Sequence, residues 1–130
     1  LDVLLDTHAW TWMLTNDPKL TRAALEAAEA ADAVRLSPIS FFEISQKVRM
    51  GKWPEMAAFL DQLPDLAAGQ GILSAPLVPE VAVLAGSMVW PHRDPFDRII
   101  AATAVLSGAV LLSADAMFDT LENGGLQRVW

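Results

Sequence analysis

What most constrains the fold of this chain is the repeated joining of a very short, uncharged run to a helical pattern. The first run, VLL inside LDVLLD (residues 1–6), leads through a polar turn into AWTWML, and the run AVLLS (109–113) follows the uncharged stretch IIAATAVLSG. Such runs are too short for a buried helix and fit strands covered on both faces. AVRLS (33–37), GILSAPL (71–77) and LQRVW (126–130) are read as further strands. Between them lie helical patterns with recognisable ends. TRAALEAAEAA (21–31) has Thr21 as N-cap, ISFFEISQKVRMGKW has Ser40 and Glu43 spaced as a capping box with Gly51 as the stop, and PEVAVLAGSMV (79–89) has proline in its first turn. A helix from Pro54 to about Leu63 carries Met56, Phe59, Leu60 and Leu63 at helical spacing and is expected to end at Pro64. Another opens at Pro95, capped by Asp94, and closes at Gly108. Strands that alternate with helices and are apolar on both faces imply an α/β fold, a parallel sheet with helices on each side.

With 130 residues and 53% hydrophobic content, the chain suits one domain, residues 1–130. The uncharged run from Ile99 to Ala114 is split by Ser107 and Gly108 and is short for a bilayer, so it reads as a helix followed by a strand. Asp2 and Asp6 stand where a signal peptide would need basic and then apolar residues. A cytoplasmic location without membrane attachment is therefore expected, and the absence of cysteine agrees with a reducing compartment. Nine basic against sixteen acidic side chains give a net charge of −7, the wrong sign for holding nucleic acid by general attraction. The basic residues are locally grouped, however, as Lys47, Arg49 and Lys52 and as Arg93 and Arg98.

Ligands of such folds bind beyond the carboxyl ends of the strands. Asp6 ends the first strand and Asp115 follows AVLLS, while Glu43 and Asp97 are expected in the first turns of helices whose ends meet the same rim. Each acid alone has an ordinary account as a helix cap or strand end. Capping does not explain four carboxylates at corresponding ends of separate elements. Two carboxylates about 4 Å apart at an effective dielectric near 20 repel by about 4 kcal/mol, more than a cap supplies, so a cation is needed to hold them ionised together. Oxygen donors without cysteine suit a hard ion, Mg²⁺ or Mn²⁺, which can activate water and screen a phosphodiester during in-line attack.

The segments LLDTH, FFEIS, HRDPFDRIIAATA and LLSAD, in that order and spacing, resemble the PIN-domain ribonucleases, specifically the VapC-type toxins of bacterial toxin-antitoxin pairs. The resemblance covers essentially the whole chain. It implies a three-layer α/β/α domain with a four- or five-stranded parallel sheet and an acidic quartet, Asp6, Glu43, Asp97 and Asp115, binding Mg²⁺ or Mn²⁺. Thr7 and Ser113 match the small hydroxyl residues that accompany the first and last acids. Asp97 is assigned to the metal because it stands directly before RIIAATA, which leaves Asp94 to the cap. The resemblance further implies RNA as substrate, a homodimer, and inhibition by a cognate antitoxin protein seated near Trp53, Met56, Phe59 and Leu60. Arg98, with Lys47, Arg49 and Lys52, is a candidate for phosphate contacts.

His8 and His92 are read as local hydrogen-bonding groups rather than catalysts, and Trp10, Trp12, Trp53 and Trp90 as core or interface before base-stacking residues. Two rival functions remain at this level. One is a nuclease of the same type acting on structured DNA. The other is a catalytically silent binding domain whose acids only cap helices, which metal titration separates from an enzyme.

Overall fold

A computed structural model describes residues 1–122 and 124–130. Strands β1 (Val3–Leu5), β2 (Val34–Leu36), β3 (Leu73–Ser74), β4 (Val110–Leu112) and β5 (Gln127–Val129) form one sheet in the order β3-β2-β1-β4-β5, each neighbouring pair parallel. The helices are α1 (Thr7–Thr15), α2 (Arg22–Ala30), α3 (Pro38–Arg49), α4 (Leu63–Gly69), α5 (Pro79–Ser87) and α6 (Pro95–Ser107), with 3-10 helices at Pro54–Gln62 and Ala116–Thr120. The expected α/β architecture with a five-stranded parallel sheet is thus the one observed.

The strand alternation explains the two cores. Val3 and Leu5 of β1, with Val110 and Leu112 of β4, pack with Trp10, Ala24, Ile44, Met56 and Leu63 on one side. Leu4 and Leu111, one step out of phase, pack on the other side with Trp90, Ile100, Ala101 and Phe118. Both faces of the central strands are therefore dry, and α5 seals the outer side of α6 through Val81, Ala85 and Ala102. The two core tryptophans keep partners for their ring N–H groups: Trp10 Nε1 donates to Gln70 Oε1 at 2.9 Å and Trp90 Nε1 to Thr120 Oγ1 at 2.8 Å. Among the described residues no helix is long and apolar enough to cross a membrane.

Two local expectations are overturned. Ser37, not Ser40, caps α3: its hydroxyl accepts from Ile39 N at 3.1 Å, and Pro38 occupies the first turn. Proline is pre-organised for that position, so the helix starts three residues early and Glu43 falls in its second turn. Likewise Pro64 does not end a helix. The segment before it is a 3-10 helix, and Pro64 sits in the first turn of α4, where the missing N–H costs nothing.

The sheet order fixes where a ligand can bind. From β1 the chain moves outward through β2 and β3, then returns to place β4 on the opposite side of β1, so the winding reverses between β1 and β4. A crevice opens at such a reversal, beyond the carboxyl ends of the strands. The register is flush there, Leu5 opposite Leu36 and Leu112, so Asp6, Ser37 and Ser113 leave the sheet at one level.

Candidate active site

At that crevice a cavity of about 410 Å³ is lined by residues that include Asp6, Glu43, Lys47, Asp94, Asp97 and Asp115. All four acids singled out in the sequence reach it, together with Asp94 and Thr7.

Asp6 is buried and does two jobs. As N-cap of α1 its Oδ1 accepts from Ala9 N at 2.8 Å, while Oδ2 accepts from the Ser113 hydroxyl. Burial pushes its carboxyl pKa up; the bonds from Ser113 and Ala9 oppose that, and the Glu43 charge adds to it. Ser113 lies beneath the cavity rather than in its wall: besides holding Asp6, its Oγ accepts from Asp115 N at 3.0 Å and so ties the first acid to the last. Asp115 is exposed and caps the second 3-10 helix, accepting from Met117 N at 2.9 Å. Thr7 Oγ1 and Ser40 Oγ share a buried hydrogen bond of 2.9 Å that joins α1 to α3. Ser40, read as half of a capping box, is thus a brace behind the cavity.

Glu43, only 4% exposed, is ion-paired with Lys47 one turn later. Asp97 is pushed up to about 6, chiefly by burial, with the Asp94 and Glu43 charges adding and a hydrogen bond from His92 opposing. That bond joins His92 Nε2 to Asp97 Oδ2 at 2.6 Å. Asp94 caps α6, its Oδ1 accepting from Phe96 N at 2.8 Å and Asp97 N at 3.3 Å, and it also faces the cavity. Among the described residues, one set of three ligating atoms lies within 4.8 Å of one another, and it is His92, Asp94 and Asp97 rather than the quartet. His92 is the local hydrogen-bonding group that the sequence suggested, and its partner Asp97 is what the sequence did not name. The available signal was its place five residues before Asp97, which lets a loop fold back onto the first turn of α6.

Arg98 does something other than the expected phosphate contact. Its guanidinium donates to the carbonyl of Ala85 in the last turn of α5 and to those of Met88, Trp90 and His92 in the segment linking α5 to α6. Four of its five N–H donors are engaged in this way, so the group is committed to the backbone rather than to a substrate. Of the other basic group, Lys47 lines the cavity, while Arg49 and Lys52 do not.

Five carboxylates facing one lysine leave the cavity with a surplus of negative charge, which adds to burial in pushing the two buried aspartates toward protonation. A divalent cation would reverse both effects. The donors are hard carboxylate oxygens, with the imidazoles of His8 and His92 at the edge, and the wider spacing of the quartet leaves room for waters in the coordination shell, as small divalent ions require. The residues present therefore fit Mg²⁺ or Mn²⁺.

The PIN domain model matches residues 3–123. Ribonuclease VapC22 of Mycobacterium tuberculosis is 32% identical over 129 residues, covering 98% of each chain. Among solved structures, VapBC2 from Rickettsia felis bound to a promoter DNA fragment superposes with a TM-score of 0.68 at 16% identity, covering 100% of this chain and 99% of that one. A toxin-antitoxin complex from Klebsiella pneumoniae does so at 0.66 and 18% identity, covering 98% and 96%. These structural likenesses show a shared fold, and the sequence match extends along nearly the full length: the chain belongs to the PIN-domain family, among the VapC ribonucleases.

Proposed function

We propose that this protein, a single catalytic domain over residues 1–130, is a divalent-cation-dependent endoribonuclease acting as the toxin of a toxin-antitoxin pair. The observation that carries the reading is the convergence of Asp6, Glu43, Asp97 and Asp115 on one cavity at the winding reversal, where burial, with neighbouring carboxylates adding, pushes the carboxyls of Asp6 and Asp97 up. Bound there, Mg²⁺ or Mn²⁺ supplies activation of water and charge neutralisation at a phosphodiester. The protein's part is positioning. Ser113 and the Ala9 amide lock the Asp6 carboxylate, and His92 takes one oxygen of Asp97 and leaves the other for the ion. Of the four basic candidates for a phosphate contact, Arg98, Lys47, Arg49 and Lys52, Lys47 is the one that stands in the cavity, beside Glu43.

Relatives of this fold were crystallised as toxin-antitoxin complexes. A cognate antitoxin with a basic side chain entering the acidic cavity suits the charge here. Its seat is narrower than the sequence suggested: Met56 belongs to the core at 2% exposure, leaving Trp53, Phe59 and Leu60 as half-buried surface. The protein acts as a homodimer, for which the exposed apolar residues Leu77, Val78, Val83 and Leu106 supply a surface.

Side-by-side incubation with single-stranded RNA and DNA in Mn²⁺, Mg²⁺ and chelator tests the activity. Ion-dependent RNA cleavage, lost in Asp97→Asn, is expected. RNA left intact at millimolar Mn²⁺, or cleaved equally in chelator, would overturn it.

A further inference from the structure

Beside the carboxylate cavity lies a second one of about 470 Å³, and the two share His8 and Trp12 in their walls. Its far side is formed by Trp53, Lys19, Asp17 and Glu55. The imidazole of His8 is exposed yet stacked on Trp53, ring centroids 4.7 Å apart and planes 22° from parallel. Trp12 stands beside it at 5.7 Å, tilted by 55°. Two ammonium groups lie over these rings, Lys19 at 5.5 Å from Trp12 and Lys47 at 5.7 Å from Trp53.

We propose that His8, Trp12 and Trp53 form a stacking subsite for one base of single-stranded RNA next to the cleaved bond. This rests on the ribonuclease reading above. A phosphate held in the first cavity obliges a neighbouring base to leave it through a shared wall, and the shared wall is His8 and Trp12. Stacked aromatic rings with a free imidazole face receive a flat π-surface of any sequence. The charges point the same way. Asp17 and Glu55 outnumber Lys19 in the second cavity, so it repels a phosphate while accepting hydrogen bonds from the N–H edge of a base or a 2′-hydroxyl. Trp10 and Trp90 are buried in the core, whereas Trp12 and Trp53 keep part of their surface in the wall of the second cavity.

The test compares His8→Ala with His8→Phe. Both remove the imidazole, and only the second keeps an aromatic ring. Binding of a labelled single-stranded RNA decamer in Ca²⁺ is followed by fluorescence anisotropy, with the intact decamer and with versions lacking one base at each position. His8→Ala should weaken binding about tenfold, as expected for one lost base–aromatic stack, and His8→Phe should stay within about twofold of the parent protein. Removing the base at one position beside the cleavage point should weaken the parent protein equally and His8→Ala no further. Equal affinities of the two variants, or an absence of coupling at every position, would overturn the subsite, as would a parent protein that does not bind the decamer. RNA cleavage by the parent in Mn²⁺, measured in parallel, tells failure of the subsite alone from failure of the ribonuclease reading. Unchanged RNA affinity in His8→Ala together with lost inhibition by the antitoxin would assign these rings to the partner and overturn the proposal.

Discussion

Asp97 shows how one residue carries both the candidate chemistry and a cost to the fold. Its carboxyl is pushed up to about 6 in the folded chain, against a value near 3.8 when unfolded. The folded state therefore binds the proton more tightly between those values, so this contribution to stability is complete below about pH 4 and is lost as pH rises through about 6. The loss is at most about 3 kcal/mol, since each pH unit separating the folded from the unfolded value is worth about 1.4 kcal/mol. Metal-free Asp97→Asn should then melt above the parent protein at pH 7.5, with the gap closing toward pH 4; Mn²⁺ should raise only the parent, and more at pH 7.5 than at pH 5. Thermal melts across pH in chelator and in Mn²⁺ check this, and a variant less stable than the parent at every pH would contradict it. That Asp6, Glu43, Asp97 and Asp115 face one rim, and that Asp94 caps α6, was legible from order and spacing, although Glu43 falls one turn deeper in α3 than its capping-box spacing implied. The partners of His92 and Ser40 were not, since they depend on a loop folding back and on two helices meeting, which no local pattern encodes.

Arg98 belongs to the scale of elements. A guanidinium bonded to four carbonyls pins the segment between α5 and α6, and with it the His92 that touches Asp97. Its charge and position before an apolar helix looked like a phosphate contact, because a sequence does not say which way a long side chain turns. Lysine cannot reproduce the planar fork. Arg98→Lys should cost about 2–4 kcal/mol, the loss of some charge-assisted bonds with carbonyls left unpaired, and should open residues 88–93 to limited proteolysis before the sheet. A variant as stable and as protease-resistant as the parent would show that the segment holds without the clamp. The elements misread were those near prolines: Pro38 and Pro64 each stand in the first turn of a helix, whereas the sequence suggested a stop at Pro64 and, in place of a start at Pro38, a capping box at Ser40.

Across the whole molecule, the alternation of apolar strands with helices was enough to read the parallel sheet and the rim where ligands bind, whereas strand order and the location of the winding reversal required the fold itself. The net charge of −7 sets how RNA is met. With Lys47 the basic side chain in the cavity and carboxylates around it, few phosphates are neutralised by the protein. The slope of log affinity for single-stranded RNA against log NaCl in Ca²⁺ should therefore be no steeper than about −1.5, two phosphates' worth; titrations giving a slope near −4 would mean a basic track elsewhere on the surface. Finally, Asp6 is woven into the chain three times over. Its N–H donates to Leu112 O at 3.0 Å in the sheet, its C=O accepts from Trp10 N at 3.1 Å in the helix, and its carboxylate faces the cavity. A residue tied to the centre of the sheet moves only when the molecule unfolds globally, so its amide should be among the slowest to exchange with solvent. At Asp6 the site is therefore built into the hydrogen-bonded frame of the sheet, and this corner of it is assembled whenever the chain is folded.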